Sequence, residues 1–265
     1  MSDFDIHKDI YQGLTNELPQ EKPIIFSLGH RCTSTSLIKE LRLKYESYPF
    51  DWVVSKLDVI ARCINDDFKE FLNVENYENM TSETFNLCDG KKKYITTENV
   101  VYNKYYEDRV GVLNENGTYG LQLCMSHHDI RKESDLQYFQ RCVERFRNIM
   151  SLKQKKYYLY IQPIMGFEDY IKSVESMKRY FSFFTDFFKT ETQNSFGIYF
   201  IIVQNEVKKG IVECLVQNDD YVIYVMFANN KLVDGGGVFC GDEWYDEQHK
   251  ILITIEALLE KARKT

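Results

Sequence analysis

The segment that most constrains the fold is residues 23–38, with the sequence PIIFSLGHRCTSTSLI. Its apolar run at 24–28 is typical of a short buried strand, Gly29 predicts a turn, and the residues that follow favour a helix. A strand that leads through a glycine turn into a helix is a basic unit of α/β proteins. The segment therefore predicts a helix that begins at or next to Cys32.

The predicted position of Cys32 at a helix N-terminus affects the reactivity of its thiol. The N-terminus of a helix presents unpaired backbone N–H groups and the positive end of the helix dipole, which stabilise a thiolate and lower its pKa. Cys32 is thus the best nucleophile candidate in the chain, although a small buried cysteine with a structural role is the alternative. In the same turn Gly29, His30 and Arg31 are predicted to bind substrate or an anion, because a guanidinium and a helix N-terminus converge there.

The rest of the chain predicts the fold class. In the second half, strands are predicted at 157–162, 197–204, 211–216 and 221–228, and helices at about 168–188 and 246–263. Strands separated by helices favour an α/β fold with a mostly parallel sheet and helices on both faces. In the first half, Ser55 and Asp135 are each predicted to cap an amphipathic helix.

The domain organisation predicted is a polar leader over residues 1–20 and a single α/β domain over 21–265. Residues 73–125 are the least periodic part, with weak strand signals at 94–102 and 109–113. This irregular insertion is interpreted as a cap over a site, although an ordinary run of hairpins explains it as well.

Composition excludes several classes of function. The net charge of −7 and the sequence pI of about 5.4 provide no basic field, so no nucleic-acid partner is expected. The seven cysteines form no CxxC pair, which favours reduced thiols in a cytoplasmic protein without a metal site. No cofactor motif is present, and the longest apolar run, Tyr221 to Ala228, is too short to span a membrane.

A cysteine nucleophile needs a base and a group that orients the base. His30 lies in the turn of Cys32 and could raise the local positive potential without being the base. The choice between His127 and His128 is near even, with His128 preferred because it precedes Asp129 and a turn; surface loop histidines are the alternative.

For the orienting carboxylate, Asp51 and Asp242 could come from elsewhere in the fold. Asp129 is a poor partner for its neighbour, since successive side chains of an extended backbone diverge. The alternative for Asp51 is that it caps a helix starting near Trp52.

Several motifs together resemble the papain-like cysteine peptidase family DUF1796, a domain of unknown function. They are SLGHRC at 27–32, SYPFDW at 47–52, residues 67–72, His128 with Asp129, and Arg141 with Arg145 and Phe146. The resemblance spans about residues 24–230. It implies that Cys32 is the nucleophile, His128 the base, and Asp51 or Asp129 a polar partner.

The predicted function is a cysteine-dependent hydrolase acting on a peptide or a glycan-related substrate. One alternative is a glycan-related transferase that holds a nucleotide-sugar diphosphate at Gly29, Arg31 and the helix N-terminus. The other is a non-catalytic interaction module in which Cys32 is structural. The sequence leaves the substrate and the oligomeric state open.

Overall fold

A computed structural model of the chain describes residues 23–30, 32–79, 100–106, 123–125, 127–152, 154–164, 174, 178–188, 195–204, 210–228 and 245–263. The predicted leader at 1–20, the strand signal at 109–113, and the side chains of Arg31 and Asp242 lie outside these residues. The division into a leader and one domain stays a prediction.

The described helices and strands follow one another along the chain in this order: β1 (Ile24–Ser27), α1 (Thr33–Glu40), β2 (Val53–Ser55), α2 (Leu57–Asn65), α3 (Lys69–Leu72), β3 (Tyr77–Asn79), β4 (Val101–Asn103), β5 (Leu123–Met125), α4 (Glu133–Ser151), β6 (Lys156–Ile164), α5 (described over 178–188), β7 (Ser195–Gln204), β8 (Val212–Gln217), β9 (Tyr221–Ala228) and α6 (Tyr245–Arg263). Short 3-10 helices cover Val74–Asn76 and Lys104–Tyr106.

The larger sheet has five strands in the order β1-β6-β7-β9-β8. The pairs β1–β6, β6–β7 and β7–β9 are parallel, and only the edge strand β8 is antiparallel to its neighbour. The inner strands β6, β7 and β9 consist largely of aromatic and branched apolar residues, as expected for strands buried on two faces. The predicted α/β class with a mostly parallel sheet is confirmed.

Alternate residues of this sheet belong to two separate buried clusters. One contains Phe26 and Tyr158 together with residues of α2, α4 and α5, and the other contains Ile25 and Leu159 together with residues of α1 and α6. The predicted cover of both faces by helices stays a prediction.

A second, antiparallel sheet has the order β2-β5-β4-β3. The described parts of the predicted irregular insertion at 73–125 supply three of its strands, and β2 supplies the fourth. Each strand is only three residues long, so none carries a measurable alternation. Its strand β2 also pairs with the turn after β1, through a bridge between Ser55 and His30.

Two predicted helix caps are wrong. Ser55 belongs to β2, where its backbone N–H donates to the carbonyl oxygen of His30 at 3.2 Å, and α2 is capped at Lys56 without a side-chain bond. The N-cap of α4 is Lys132, and Asp135 lies inside the first turn. In both cases a polar side chain that could have capped a helix is engaged by a neighbouring segment.

Within the described part of the chain, no helix combines the length and apolar character needed to cross a membrane.

Candidate functional site

The turn after β1 places Cys32 at the start of α1. Pairing with β6 continues to Leu28, whose N–H donates to Leu159 at 2.9 Å, and the chain then leaves the sheet at the carboxyl end of β1. Gly29 and His30 follow with φ of +86° and +58°, both left-handed. Cys32 is the N-cap of α1 and half-buried, and its carbonyl oxygen accepts the first helical hydrogen bond from Ser36 at 2.9 Å. The predicted helix start is confirmed.

Hydrogen bonds fix this turn from both ends. The N–H of Gly29 donates to Ser27 Oγ at 2.9 Å, and Ser34 Oγ of α1 donates to the carbonyl oxygen of Gly29 at 3.1 Å. A Cβ atom at Gly29 would collide with Ser55 Oγ and come within 3.3 Å of the carbonyl oxygen of Phe50. Only glycine therefore fits both the backbone angle and the space at this position.

Asp51 lies under α1 as the centre of a buried polar cluster. Its side chain is 2% exposed and forms an ion pair with Lys44. Oδ2 accepts from the N–H of Tyr48 at 2.8 Å, and Oδ1 accepts from Thr35 Oγ1 of α1 at 3.1 Å. Burial raises the pKa of Asp51, and the Lys44 ammonium opposes that rise. These contacts fasten the loop 44–51 to the helix that begins at Cys32.

No described helix begins near Trp52, since β2 starts at Val53 and α2 at Leu57. Asp51 therefore does not cap a described helix, and the alternative role predicted for it is wrong. Its carboxylate instead holds together a loop and a helix that are separated along the chain.

His128 lies in the turn between β5 and α4, packed against the first turns of α4. Its Nδ1 is 3.4 Å from Asp135 Oδ1. The imidazole stacks on the ring of Tyr138, with centroids 4.7 Å apart and an interplanar angle of 15°, and it meets Phe139 edge-on at 5.4 Å. Three side chains of one helix thus define the plane and the position of this ring.

The neighbours of His128 have other partners. His127 is exposed, and its ring meets that of Trp52 at 6.0 Å. The carboxylate of Asp129 accepts from Arg131 through Nε at 2.8 Å and Nη2 at 2.9 Å. The hydrogen bond from Arg131 lowers the pKa of Asp129. The described contacts of the Asp129 carboxylate therefore lead away from His128.

Strand β2 lies between the two candidate segments. On one side Ser55 pairs with His30, and on the other Val53 pairs with Met125 of β5, two residues before His127. Since neighbouring strands are about 4.8 Å apart, and Ser55 pairs with His30 on one side and with Leu123 on the other, the backbones of His30 and Leu123 are about 10 Å apart.

Loop 47–52 connects the same segments through side chains. Ser47 lies beside Tyr138, on whose ring His128 stacks, and Trp52 touches His127. At its other face the loop carries Asp51, which binds Thr35 of α1.

The other described thiols differ from the half-buried Cys32 in exposure. Burial raises the pKa of Cys63, and it raises the pKa of Cys142 to about 11, so both are protonated at neutral pH. Cys124 is also buried, and Cys214 is exposed on the edge strand β8. The described residues contain no group of three or more histidine, cysteine, aspartate or glutamate side chains arranged to hold a metal ion.

Sequence reasoning missed the contacts of Thr35, Lys44, Asp135 and Tyr138. Asp135 had one usable signal, because an acidic residue in the first turn of a helix often accepts from the segment that precedes it. Its Oδ2 accepts from the backbone N–H of Asp129 at 2.8 Å in this way. For Thr35 and Lys44 no local pattern marks the contact with Asp51.

One family model matches the chain. It covers residues 24–205, and its description is "Putative papain-like cysteine peptidase (DUF1796)". The match includes the turn at Cys32, the loop that carries Asp51, and the turn at His128. No curated protein and no solved structure matches the chain.

Proposed function

We propose that this chain, which belongs to the DUF1796 family, is a cysteine-dependent hydrolase with Cys32 as nucleophile and His128 as base. The observation that carries the proposal is the position of Cys32, half-buried at the N-cap of α1 beyond the carboxyl end of a parallel strand. Ligands of open α/β sheets bind at this edge. The helix N-terminus there favours the thiolate over the thiol.

The proposed reaction uses general-base and nucleophilic chemistry. His128 takes the proton of the Cys32 thiol, and Sγ forms a bond to the acyl carbon of the substrate. The bond from that carbon to the leaving group breaks, and the imidazolium returns the proton to the leaving group. Water, deprotonated by the same imidazole, then hydrolyses the thioester and restores the thiol.

Backbone N–H groups of the first turn of α1 have no helical acceptor, and they are suited to stabilise the negative oxygen of the intermediate. Gly29, His30 and Arg31 are proposed to contact the substrate beside them. The approach of loop 47–52 to α1 and to the His128 turn supports a catalytic cleft between the two segments. Asp51 and Asp129 stay predictions as polar partners of the base.

Acylation tests this proposal directly. The protein is incubated with ester and peptide acyl probes, and the modified residue is identified by mass spectrometry. We expect an acyl group on Cys32, its absence from Cys32→Ser, and an acylation rate in His128→Ala lower by about 10²- to 10⁴-fold. His127→Ala is the matched control and should keep the wild-type rate. Acylation that persists equally in Cys32→Ser would contradict the proposal.

One observation favours the alternative of a glycan-related transferase. Thr33, the first residue of α1, is 4% exposed, and its hydroxyl has no hydrogen-bond partner among the described residues. A phosphate at the helix N-terminus could supply that partner. In this case calorimetry should detect binding of nucleoside diphosphates or their sugar conjugates. This binding should persist in Cys32→Ser and become several-fold weaker in Arg31→Ala.

The same experiments test the third alternative, a non-catalytic module. A structural Cys32 would give no acyl adduct and no nucleoside diphosphate binding, and Cys32→Ser would change only stability.

A further inference from the structure

We propose that Asp135 is the residue that positions His128, by accepting a hydrogen bond from Nδ1–H and leaving Nε2 as the basic nitrogen. The inference rests on the proposed function only in treating His128 as a base. It differs from the sequence-based choice of Asp51 or Asp129, whose described contacts lead to Lys44 and Arg131.

The geometry of the pair supports this role of Asp135. Asp135 Oδ1 faces His128 Nδ1 at 3.4 Å, and the side chains are similarly shielded, with 24% and 23% of their surfaces exposed. A catalytic hydrogen bond of this length is expected before substrate binds, because such contacts tighten in the complex. A carboxylate only accepts hydrogen bonds, so it selects the imidazole tautomer with the proton on Nδ1.

The carboxylate of Asp135 is itself fixed. Its other oxygen, Oδ2, accepts from the backbone N–H of Asp129 at 2.8 Å. One oxygen therefore holds the turn that carries the histidine, and the other faces the histidine ring. A carboxylate held in this way cannot turn away from the ring without losing a backbone hydrogen bond.

The ring of Tyr138 forms a platform beneath the imidazole. Tyr138 lies three residues after Asp135, on the same face of α4. Its ring stacks on the imidazole, and its hydroxyl lies beside Ser47 and Cys142. Stacking fixes the plane of the ring, and the Asp135 contact fixes its rotation within that plane.

The test reads the tautomer of His128 by long-range proton–nitrogen correlation spectra of ¹⁵N-labelled protein at about pH 9, where an imidazole is neutral. The spectrum of His128→Gln assigns the resonances among the five histidines. We expect wild-type His128 to carry its proton on Nδ1. A proton on Nε2 in the wild type would overturn the proposal without the need for any further variant.

Asp135→Asn is the informative substitution, because the amide keeps an oxygen for the N–H of Asp129 but can donate to Nδ1. We expect the His128 proton to move to Nε2 and the rate of Cys32 acylation to fall at least about tenfold. Glu133→Gln is the control, since it removes one charge from the same turn at a side chain whose described bond is to Gln137. It should leave both readouts unchanged.

The tautomer measurement separates the two proposals. If wild-type Cys32 is never acylated, the proposed function fails, while the nitrogen spectra still decide the role of Asp135. An unchanged tautomer or an unchanged acylation rate in Asp135→Asn would overturn the role of Asp135 and leave Cys32 as nucleophile.

Discussion

Thr35 of α1 donates from one hydroxyl to two oxygens of the buried Asp51, to the backbone carbonyl at 2.7 Å and to Oδ1 at 3.1 Å. Thr35 lies three residues after Cys32, so this contact joins the helix of the candidate nucleophile to loop 47–52. The same loop touches His127 and the Tyr138 platform of His128. The Thr35–Asp51 contact is thus one of the links between the two halves of the candidate site.

Thr35→Val should destabilise the protein by about 1–3 kcal/mol, because it leaves buried oxygens of Asp51 without that donor. The free energy of unfolding from urea titration measures the effect. Thr254→Val is the matched control, since the Thr254 hydroxyl donates to a carbonyl of its own helix on an exposed surface. The control should cost less than about 0.5 kcal/mol. Equal losses in the two variants would contradict the structural role of Thr35.

Gly29→Ala should destabilise the protein by more than Gly210→Ala does. Both glycines have positive φ, +86° and +78°, so alanine meets a similar backbone penalty of about 1–2 kcal/mol at each. At Gly29 the new methyl group also collides with Ser55 and approaches the backbone of Phe50, whereas at Gly210 it meets the flexible end of Lys250. Urea titration of both variants should give an additional loss at Gly29 of about 1 kcal/mol or more.

Asp129 should make stability depend on acid pH through Arg131. Because the hydrogen bond from Arg131 lowers the pKa of Asp129 in the folded state, the pair stabilises the fold above the unfolded pKa of about 3.9. This contribution is lost as the pH falls through the lower folded pKa. In Arg131→Met the pKa of Asp129 should rise towards its ordinary value, as measured by carboxyl carbon NMR.

Arg147→Met is the control for this titration, since Arg147 pairs with Asp67 in a similar two-pronged geometry elsewhere. It should leave the titration of Asp129 unchanged. An Asp129 pKa that stays low in Arg131→Met would show that another group stabilises the carboxylate.

Much of the larger sheet was predictable from local sequence. The strand predictions at 157–162, 197–204 and 221–228 match β6, β7 and β9, because a strand buried on two faces is a continuous apolar run bounded by polar residues. The closing helix predicted at 246–263 matches α6 within one residue. Its apolar residues recur with the period of a helix, which is a local property.

The second sheet was not predictable in this way. Its strands have three residues each, and β2 and β5 pair across about seventy residues of chain, as in the register of Val53 with Met125. A three-residue strand has no period to detect, and its stability comes from partners that are remote in sequence. The wrong cap at Ser55 has the same cause, because pairing with His30 competes with capping.

In the candidate site, too, the features that depend on local sequence were predictable, and those that depend on contacts between remote segments were not. The place of Cys32 at the start of a helix depends on a local pattern, and it is confirmed. The partners of Asp51 and His128 depend on which segments the fold brings together. The sequence alone does not assign these contacts, because residues such as Lys44, Thr35 and Asp135 are often solvated or cap a helix.

Competitive thiol labelling measures whether Cys32 is a nucleophile activated by His128. Limited iodoacetamide treatment at neutral pH, with peptide mapping, compares Cys32 with the exposed Cys214 and with Cys63 and Cys142, whose pKa values burial raises. We predict that Cys32 is labelled first, and that its labelling slows in His128→Ala but not in His127→Ala. Labelling of Cys32 no faster than that of Cys214, or equally fast in His128→Ala, would contradict the account.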